Sequence, residues 1–290
     1  MSKHTSLLII AIILLQANTS FAKIIETSDS SVIREKMFTL TENDLLIFDV
    51  KGVVYTPKDQ ILSPDHVAEF REEIRKIALK HGNAEAQRLE GIVLLNYEPV
   101  LVDSTIPAII EEAKARKVKV LALTSGKTGL IGDIKTRENL RLKRLKKLGI
   151  DFSSSFKTEF MLLDSQTQKG VDLPYSLYKN GVIFTSRRPK GEILEKFLAK
   201  VEFKPGKIMH VDNRFKKIKQ VESFCQKDGI EFIGIHFTKV YADAGKKLDE
   251  VIVNKKLEVL QEKGRWISDK IAQCMVSTSF NIGQCSESNG

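Results

Sequence analysis

The sequence predicts an α/β fold built on a parallel sheet with helices on both faces. Short apolar runs of strand length recur along the chain: LLIFDV (45–50), VKVLAL (118–123), GVIFT (181–185), KIMHV (207–211) and IEFIGIH (230–236). Helix-patterned stretches fall between most of them, and that alternation is the signature of strand–helix–strand crossovers. Three runs end at a side chain capable of chemistry, namely Asp49, Thr124 and Asp212. Right-handed crossovers would make all the strands parallel, and ligands in such sheets bind beyond the carboxyl ends of the strands.

Residues 1–22 stand apart from that fold. Lys3 and His4 make a short basic start, Leu7 to Leu15 is an unbroken apolar run, and Ser20-Phe21-Ala22 places small residues where a signal peptidase reads. The run is short for a bilayer span, and no second apolar stretch of spanning length follows. A secretory signal peptide is therefore expected, with an uncleaved N-terminal anchor as the competing reading. No cysteine follows Ala22, so a lipoprotein is not indicated. The exported chain, periplasmic or secreted, should begin near Lys23 and carry no membrane span.

Each later element has its own cue. Pro64 to His81 is helical in pattern, with Phe70, Ile74 and Ile77 on one face, and 83–96 is a less regular helix. Ile106 to Arg116 begins after Asp103-Ser104 with Pro107 in its first turn, the usual chemistry of a helix start. The segment 137–147 reads as an amphipathic helix ending at Gly149, and 151–180 is irregular, with Ser, Gln, Lys and Pro174 scattered through it. Helices are expected over 191–199, 215–225 and much of 243–272, with Trp266 on the core. Residues 277–290 read as a loose tail, leaving 23–276 as one domain.

Of the net charge of +9, much lies at Arg137, Arg141, Lys143, Arg144, Lys146 and Lys147. Such a face can meet anionic lipid, nucleic acid or a phosphorylated substrate, and a solvated helix face is the preferred reading. Interleaved aromatics that would stack bases are missing, so nucleic acid is not an expected partner. The three cysteines fit no zinc spacing. Cys274 and Cys285 could close a small loop in an oxidising compartment, with Cys225 a buried thiol; three unpaired thiols are the other reading.

The strand ends hold the chemistry. Asp49 can attack phosphorus and form an aspartyl-phosphate, Thr124 can donate its hydroxyl to a phosphate oxygen with Ser125 beside it, and Lys190 can neutralise nucleophile and phosphoryl group. Asp212, with Asp49, would hold Mg²⁺. Singly, each could be a turn former, a helix cap or a solvated lysine. It is their joint position at one edge of the sheet that argues for a site.

The segments LLIFDVKGVV (45–54), VKVLALTSG (118–126), GVIFTSRRPKGEIL (181–194) and KIMHVDNRF (207–215) resemble the four motifs of the haloacid dehalogenase (HAD) superfamily. Within it the chain is similar to a group of secreted bacterial proteins of unknown function. The resemblance implies a Rossmann-like core with Asp49 as nucleophile, Thr124 as phosphate-binding hydroxyl, Lys190 as the basic residue and Asp212 as the metal-holding acid. It also implies a cap where this chain has a small helical insert, about 57–102, which would leave the site fairly open.

Two positions depart from the family pattern. Phosphatases of the family carry an acid/base aspartate two residues after the nucleophile, and here Lys51 stands in its place. An ammonium there repels a metal: at about 4 Å two unit charges interact by roughly 4 kcal/mol at an effective dielectric of about 20, and a divalent ion doubles this. Lys51 could instead pair with Asp49, or burial could lower its pKa enough for acid/base work. Asn213 replaces a second acid. The sequence thus supports an exported phosphohydrolase acting on small phosphomonoesters. Beside it stands an impaired HAD domain that binds a phosphorylated ligand or a protein partner. A dehalogenase using Asp49 on carbon has only the fold behind it.

Overall fold

The computed structural model describes residues 23–164, 167–168, 171–172, 174–242, 245–278 and 281–287. The expected signal peptide lies outside the described residues.

The chain opens with β1 (Lys23–Thr27) and α1 (Ser30–Met37), then enters β2 (Leu45–Phe48). An excursion follows, made of β3 (Tyr55–Pro57), α2 (Val67–His81), α3 (Asn83–Asn96) and β4 (Pro99–Leu101). Antiparallel pairing of β3 with β4, Thr56 facing Val100, closes the stem of that excursion. Next come α4 (Ile106–Ala115), β5 (Lys119–Thr124) and α5 (Arg137–Lys147). After them lie β6 (Phe160–Asp164), β7 (Thr167–Gln168), β8 (Val171–Asp172), β9 (Ser176–Lys179) and β10 (Val182–Phe184). The remainder is α6 (Lys190–Lys200), β11 (Lys207–Asp212), α7 (Phe215–Asp228), β12 (Glu231–Phe237), α8 (Glu250–Lys263), α9 (Asp269–Thr278) and α10 (Ile282–Glu287).

Eight strands form the central sheet in the order β1-β12-β11-β2-β5-β10-β9-β6. The six from β1 to β10 in that order run parallel, with helices packed around the sheet, as the alternation in the sequence predicts. Central strands of such a sheet are covered on both faces, and all four residues of β2 are accordingly buried. From β2 the chain adds strands first toward β5 and β10, then returns to the other side through β11 and β12. The crevice where that direction reverses lies beyond the ends of β2, β5 and β11.

The structure corrects the sequence reading in three places. The stretch 151–180, expected to be irregular, contributes β6 and β9, antiparallel to each other, and β9 is antiparallel to β10; the sheet is therefore mixed. An edge strand needs no continuous apolar run, and Phe160 (56% exposed) and Leu162 (45% exposed) show how little of β6 is covered. Strand β1 and helix α1 were not expected: KIIET is short and only half-buried at the opposite edge, which leaves little pattern to read. Nor is the tail simply loose, because α10 is held to α9 by a Cys274–Cys285 disulfide. Cys225 is the free cysteine; burial pushes its thiol up to about 12, which suits a packing role.

Two close contacts position the rest. Lys256 of α8, fully buried, pairs with Asp59 and with Asp269 and lies over the Trp266 ring, while Trp266 meets Phe70 of α2 edge-on at 6.0 Å. The C-terminal helices are thereby fastened to the excursion between β2 and β5. Gly191 lies where α6 approaches α7 so closely that an added Cβ would overlap the Gln220 carbonyl oxygen. Gly191→Ala should therefore cost about 1–3 kcal/mol in urea denaturation, an overpacking penalty against backbone that cannot rotate aside. A variant as stable as the parent would show that α6 can slide without loss.

Candidate active site

Sequence-distant residues meet at the crevice. Asp49 follows β2, Thr124 ends β5 and Asp212 ends β11, all nearly fully buried. Lys190 arrives as the first residue of α6, and its backbone amide donates to the Gln220 side chain at 3.1 Å. Its ammonium, fully buried, donates to Asp49 Oδ1 and to Asp212 Oδ2, both at 2.6 Å. Burial pushes the Asp49 carboxyl up, while the Lys190 ammonium pulls it down and the neighbouring Asp212 charge adds to the rise. The lysine is thus a bridge between two carboxylates that would otherwise repel. Behind it His210 is buried with Nε2 3.5 Å from Asp212, and burial together with Lys190 lowers its pKa well below the usual value, so the ring is neutral.

A cavity of about 450 Å³ opens over this floor, lined by Asp49, Lys51, Thr124, Ser125 and Asn213 among others. Thr124 Oγ1 accepts from Arg141 Nη1 and from the Gly126 amide, each at 3.2 Å, and Ser125 Oγ accepts from Arg214 Nη2 at 3.4 Å. Both hydroxyls therefore sit beside a guanidinium, the pairing that suits a phosphate oxygen. Gly52, at φ +97°, lets the loop after Asp49 pass Asn213: a Cβ there would lie 2.6 Å from the Asn213 amide nitrogen. That amide donates to Tyr241 Oη at 2.9 Å.

Lys51 is half-buried with Nζ 3.4 Å from the Leu62 carbonyl oxygen. Burial, and then the positive charges of Arg141, Arg71, Arg144 and Arg214, lower its pKa to about 8. Its ordinary value in the unfolded chain is 10.5, so the unfolded state binds more protons between about 8 and 10.5 and stability rises with pH across that window. Lys51→Met should flatten that rise and add about 1 kcal/mol at pH 7, the screened share of such a displacement. Chemical denaturation between pH 7 and 10.5 reads both; an unchanged slope would show that another group carries it.

A resident Mg²⁺ fits these residues poorly. Asp212 Oδ1 accepts the Arg214 amide at 2.9 Å and Oδ2 accepts Lys190, so each oxygen already has a protein donor and a cation would compete for the remaining lone pairs. The carboxylates of Asp49 and Asp212 share the Lys190 ammonium, and the Arg214 guanidinium adds positive charge near Asp49, so two cations already offset the two carboxylates. Among the described residues no group of three or more His, Cys, Asp or Glu side chains is arranged to hold a metal. Asp49 and Asp212, the pair expected to hold a metal, are joined by the Lys190 ammonium.

The basic helix is the largest surprise. Arg137, Arg141 and Arg144, spaced four and three apart, line the cavity, while Lys143, Lys146 and Lys147 face solvent. Arg144 is buried, stacks on Tyr97 at 3.7 Å and donates to the Leu94 carbonyl. With Lys51, Arg71, Lys127, Arg187 and Arg214, the lining holds eight cationic side chains against the carboxylates of Asp49 and Glu90. The solvated-face reading holds for only half the helix. Its spacing could have revealed the inward face, whereas nothing in sequence pointed to Arg71 or Tyr241. Pro64, Val67 and Arg71 from α2 and its approach, with Glu90 and Leu94 of α3, wall one side, so the excursion covers the site more than expected.

Residues 25–273 match the family described as "Protein of unknown function (DUF2608)". An uncharacterized protein of Rickettsia felis is 26% identical over 160 residues, covering 53% of this chain and 54% of that protein. Another, from Rickettsia prowazekii, is 22% identical over 279 residues, covering 96% of this chain and 100% of that protein. A Chlamydia pneumoniae protein named "Putative outer membrane protein" is 25% identical over 241 residues, covering 80% and 83%. The chain thus spans about half the length of the first of these relatives and the full length of the second. No solved structure matches it. No helix among the described residues is long and apolar enough to cross a membrane. Because the family match runs from β1 into α9 and takes in the whole crevice, the chain belongs to the DUF2608 family.

Proposed function

We propose that the protein is an exported, HAD-like phosphohydrolase that acts on small phosphomonoesters without a resident metal. One observation carries the reading: a buried strand-end carboxylate, Asp49, lies at the floor of a cavity whose lining is overwhelmingly cationic. Such a lining attracts a phosphate dianion and stabilises charge on the phosphoryl oxygens in flight.

The Asp49 carboxylate attacks phosphorus, the bond from phosphorus to the leaving oxygen breaks, and the Lys51 ammonium gives its proton to that oxygen. The product alcohol leaves, and Lys51 is then neutral. A water surrenders a proton to Lys51 while its oxygen attacks phosphorus, releasing inorganic phosphate and restoring both groups. A pKa of about 8 lets Lys51 take both roles near neutral pH, which an ordinary lysine could not. Thr124, Ser125, Arg141 and Arg214 hold the phosphate oxygens, and Lys190 holds Asp49 in line.

Export is supported by the leader pattern of residues 1–22 and by the name of the Chlamydia relatives. A second reading, a phosphate-binding protein without turnover, has its own support in Lys51 and in the protein donors already bound to both Asp212 oxygens.

The deciding experiment is phosphate release from a panel of phosphomonoesters by residues 23–290, in EDTA and in Mg²⁺. Turnover that persists in EDTA and declines above about pH 8 is expected. Tight binding with no release in a folded sample would favour the second reading. Release that needs Mg²⁺ would refute the metal-free route.

A further inference from the structure

Besides the residues around Asp49, the cavity wall carries a second group of cations that the chemistry at Asp49 leaves unused. Lys127, Arg137 and Arg187 come from three separate segments and all line the same cavity. Their convergence is built into the backbone. The Ser186 amide donates to the Gly126 carbonyl and the Arg187 amide to the Ser125 carbonyl, each at 3.2 Å, lacing the loop after β5 to the loop after β10. The Thr128 amide donates to Ser186 Oγ at 3.2 Å, and the Arg137 amide donates to the Gly129 carbonyl at 3.0 Å, which ties in the start of α5. Ser186 (φ 46°) and Arg187 (φ 71°) are consecutive non-glycine residues in the left-handed region, a conformation that persists only where surrounding contacts enforce it.

These three cations are poorly neutralised. Lys127 and Arg137 both have pKa values lowered by burial and by the charge of Arg187, and Arg137 lowers Lys127 in turn. Glu90 opposes Lys127 and Arg137, and Glu138 opposes Arg137 more weakly; Arg137 donates from Nη2 to the Leu130 carbonyl at 2.5 Å, while its Nε is buried with no hydrogen-bond partner among the described residues. Cations that repel one another in a cavity wall are stabilised when an anionic ligand binds between them. The volume, about 450 Å³, also exceeds the needs of one phosphate and falls in the range of roughly 300–1,000 Å³ that takes a whole small molecule.

We propose that Lys127, Arg137 and Arg187 form a second phosphate subsite, so that the natural ligand is a small molecule carrying two phosphate groups. One phosphate lies against Asp49 and Thr124, and the other spans the laced loops. This rests on the phospho-ligand reading of Asp49 and narrows its substrate class.

The test is calorimetric titration of the Asp49→Asn chain, which binds without turnover, at about 0.1 M salt. The probes are inorganic phosphate, a hexose monophosphate and the matching hexose bisphosphate. The bisphosphate should bind at least about tenfold tighter than the monophosphate. Arg137→Gln with Arg187→Gln should shrink that preference below about threefold, whereas Lys146→Gln with Lys147→Gln, the same charge change on the outer face of α5, should preserve it. Equal affinity for the two sugars, or an equal loss in both double variants, would overturn the subsite and leave the Asp49 site standing. If none of the three probes binds a folded sample, the phospho-ligand reading itself fails, and this proposal with it.

Discussion

Replacing Lys190 with methionine should cost about 3–5 kcal/mol of stability, the usual penalty for removing one partner of a buried ion pair. The reason is the geometry at the crevice. Its ammonium is fully buried and lies 2.6 Å from both Asp49 and Asp212, so its loss leaves two desolvated carboxylates facing each other. The variant should also acquire a pH dependence of known sign. With the cation gone, burial and the neighbouring Asp212 charge hold the Asp49 carboxyl above its ordinary value in the folded state, so the native protein binds more protons than the unfolded chain above about pH 4. Its stability should therefore fall as pH rises from about 4 toward 7 and recover on acidification. Adding Asp49→Asn and Asp212→Asn to Lys190→Met should restore most of the loss. Urea unfolding at several pH values measures all of this, and a variant with parental stability at pH 7 would mean that solvent reaches the crevice.

Asp49→Asn should reduce any phosphate release at least about 10³-fold, since an amide cannot form the acyl-phosphate. The substitution is nearly isosteric, and Lys190 keeps Asp212 as its partner, so the fold should survive. That separation matters: a melting curve close to that of the parent, with turnover lost, assigns the nucleophile, whereas turnover retained would remove Asp49 from the chemistry. Hydroxylamine trapping of a phosphorylated Asp49 in the parent, absent in the variant, is the complementary result. In the impaired-binder reading, the same substitution changes affinity and leaves no rate to lose.

These expectations draw on different levels of the molecule. The parallel core was legible because its strands must be apolar on both faces: LLIF, VLAL and IMHV are short, largely apolar runs of strand length. The meeting of Asp49, Thr124, Lys190 and Asp212 followed from the same pattern, because crossover rules send strand ends to one edge. Strands β6 and β9 were not legible, since edge strands are stabilised by partners rather than by their own composition. The Cys274–Cys285 link was one of two open readings until the fold of α9 and α10 brought the thiols together.

By itself the sequence determined the parallel α/β core and the gathering of Asp49, Thr124, Lys190 and Asp212 at one edge of it, because local hydrophobic patterning and chain connectivity dictate those. Only the tertiary structure decided the surroundings of Lys51 and of the basic helix. Charge and ionisation depend on which neighbours crowd a group and how much water they leave, and Arg71, Arg141, Arg144 and Arg214 reach Lys51 from three different segments of the chain.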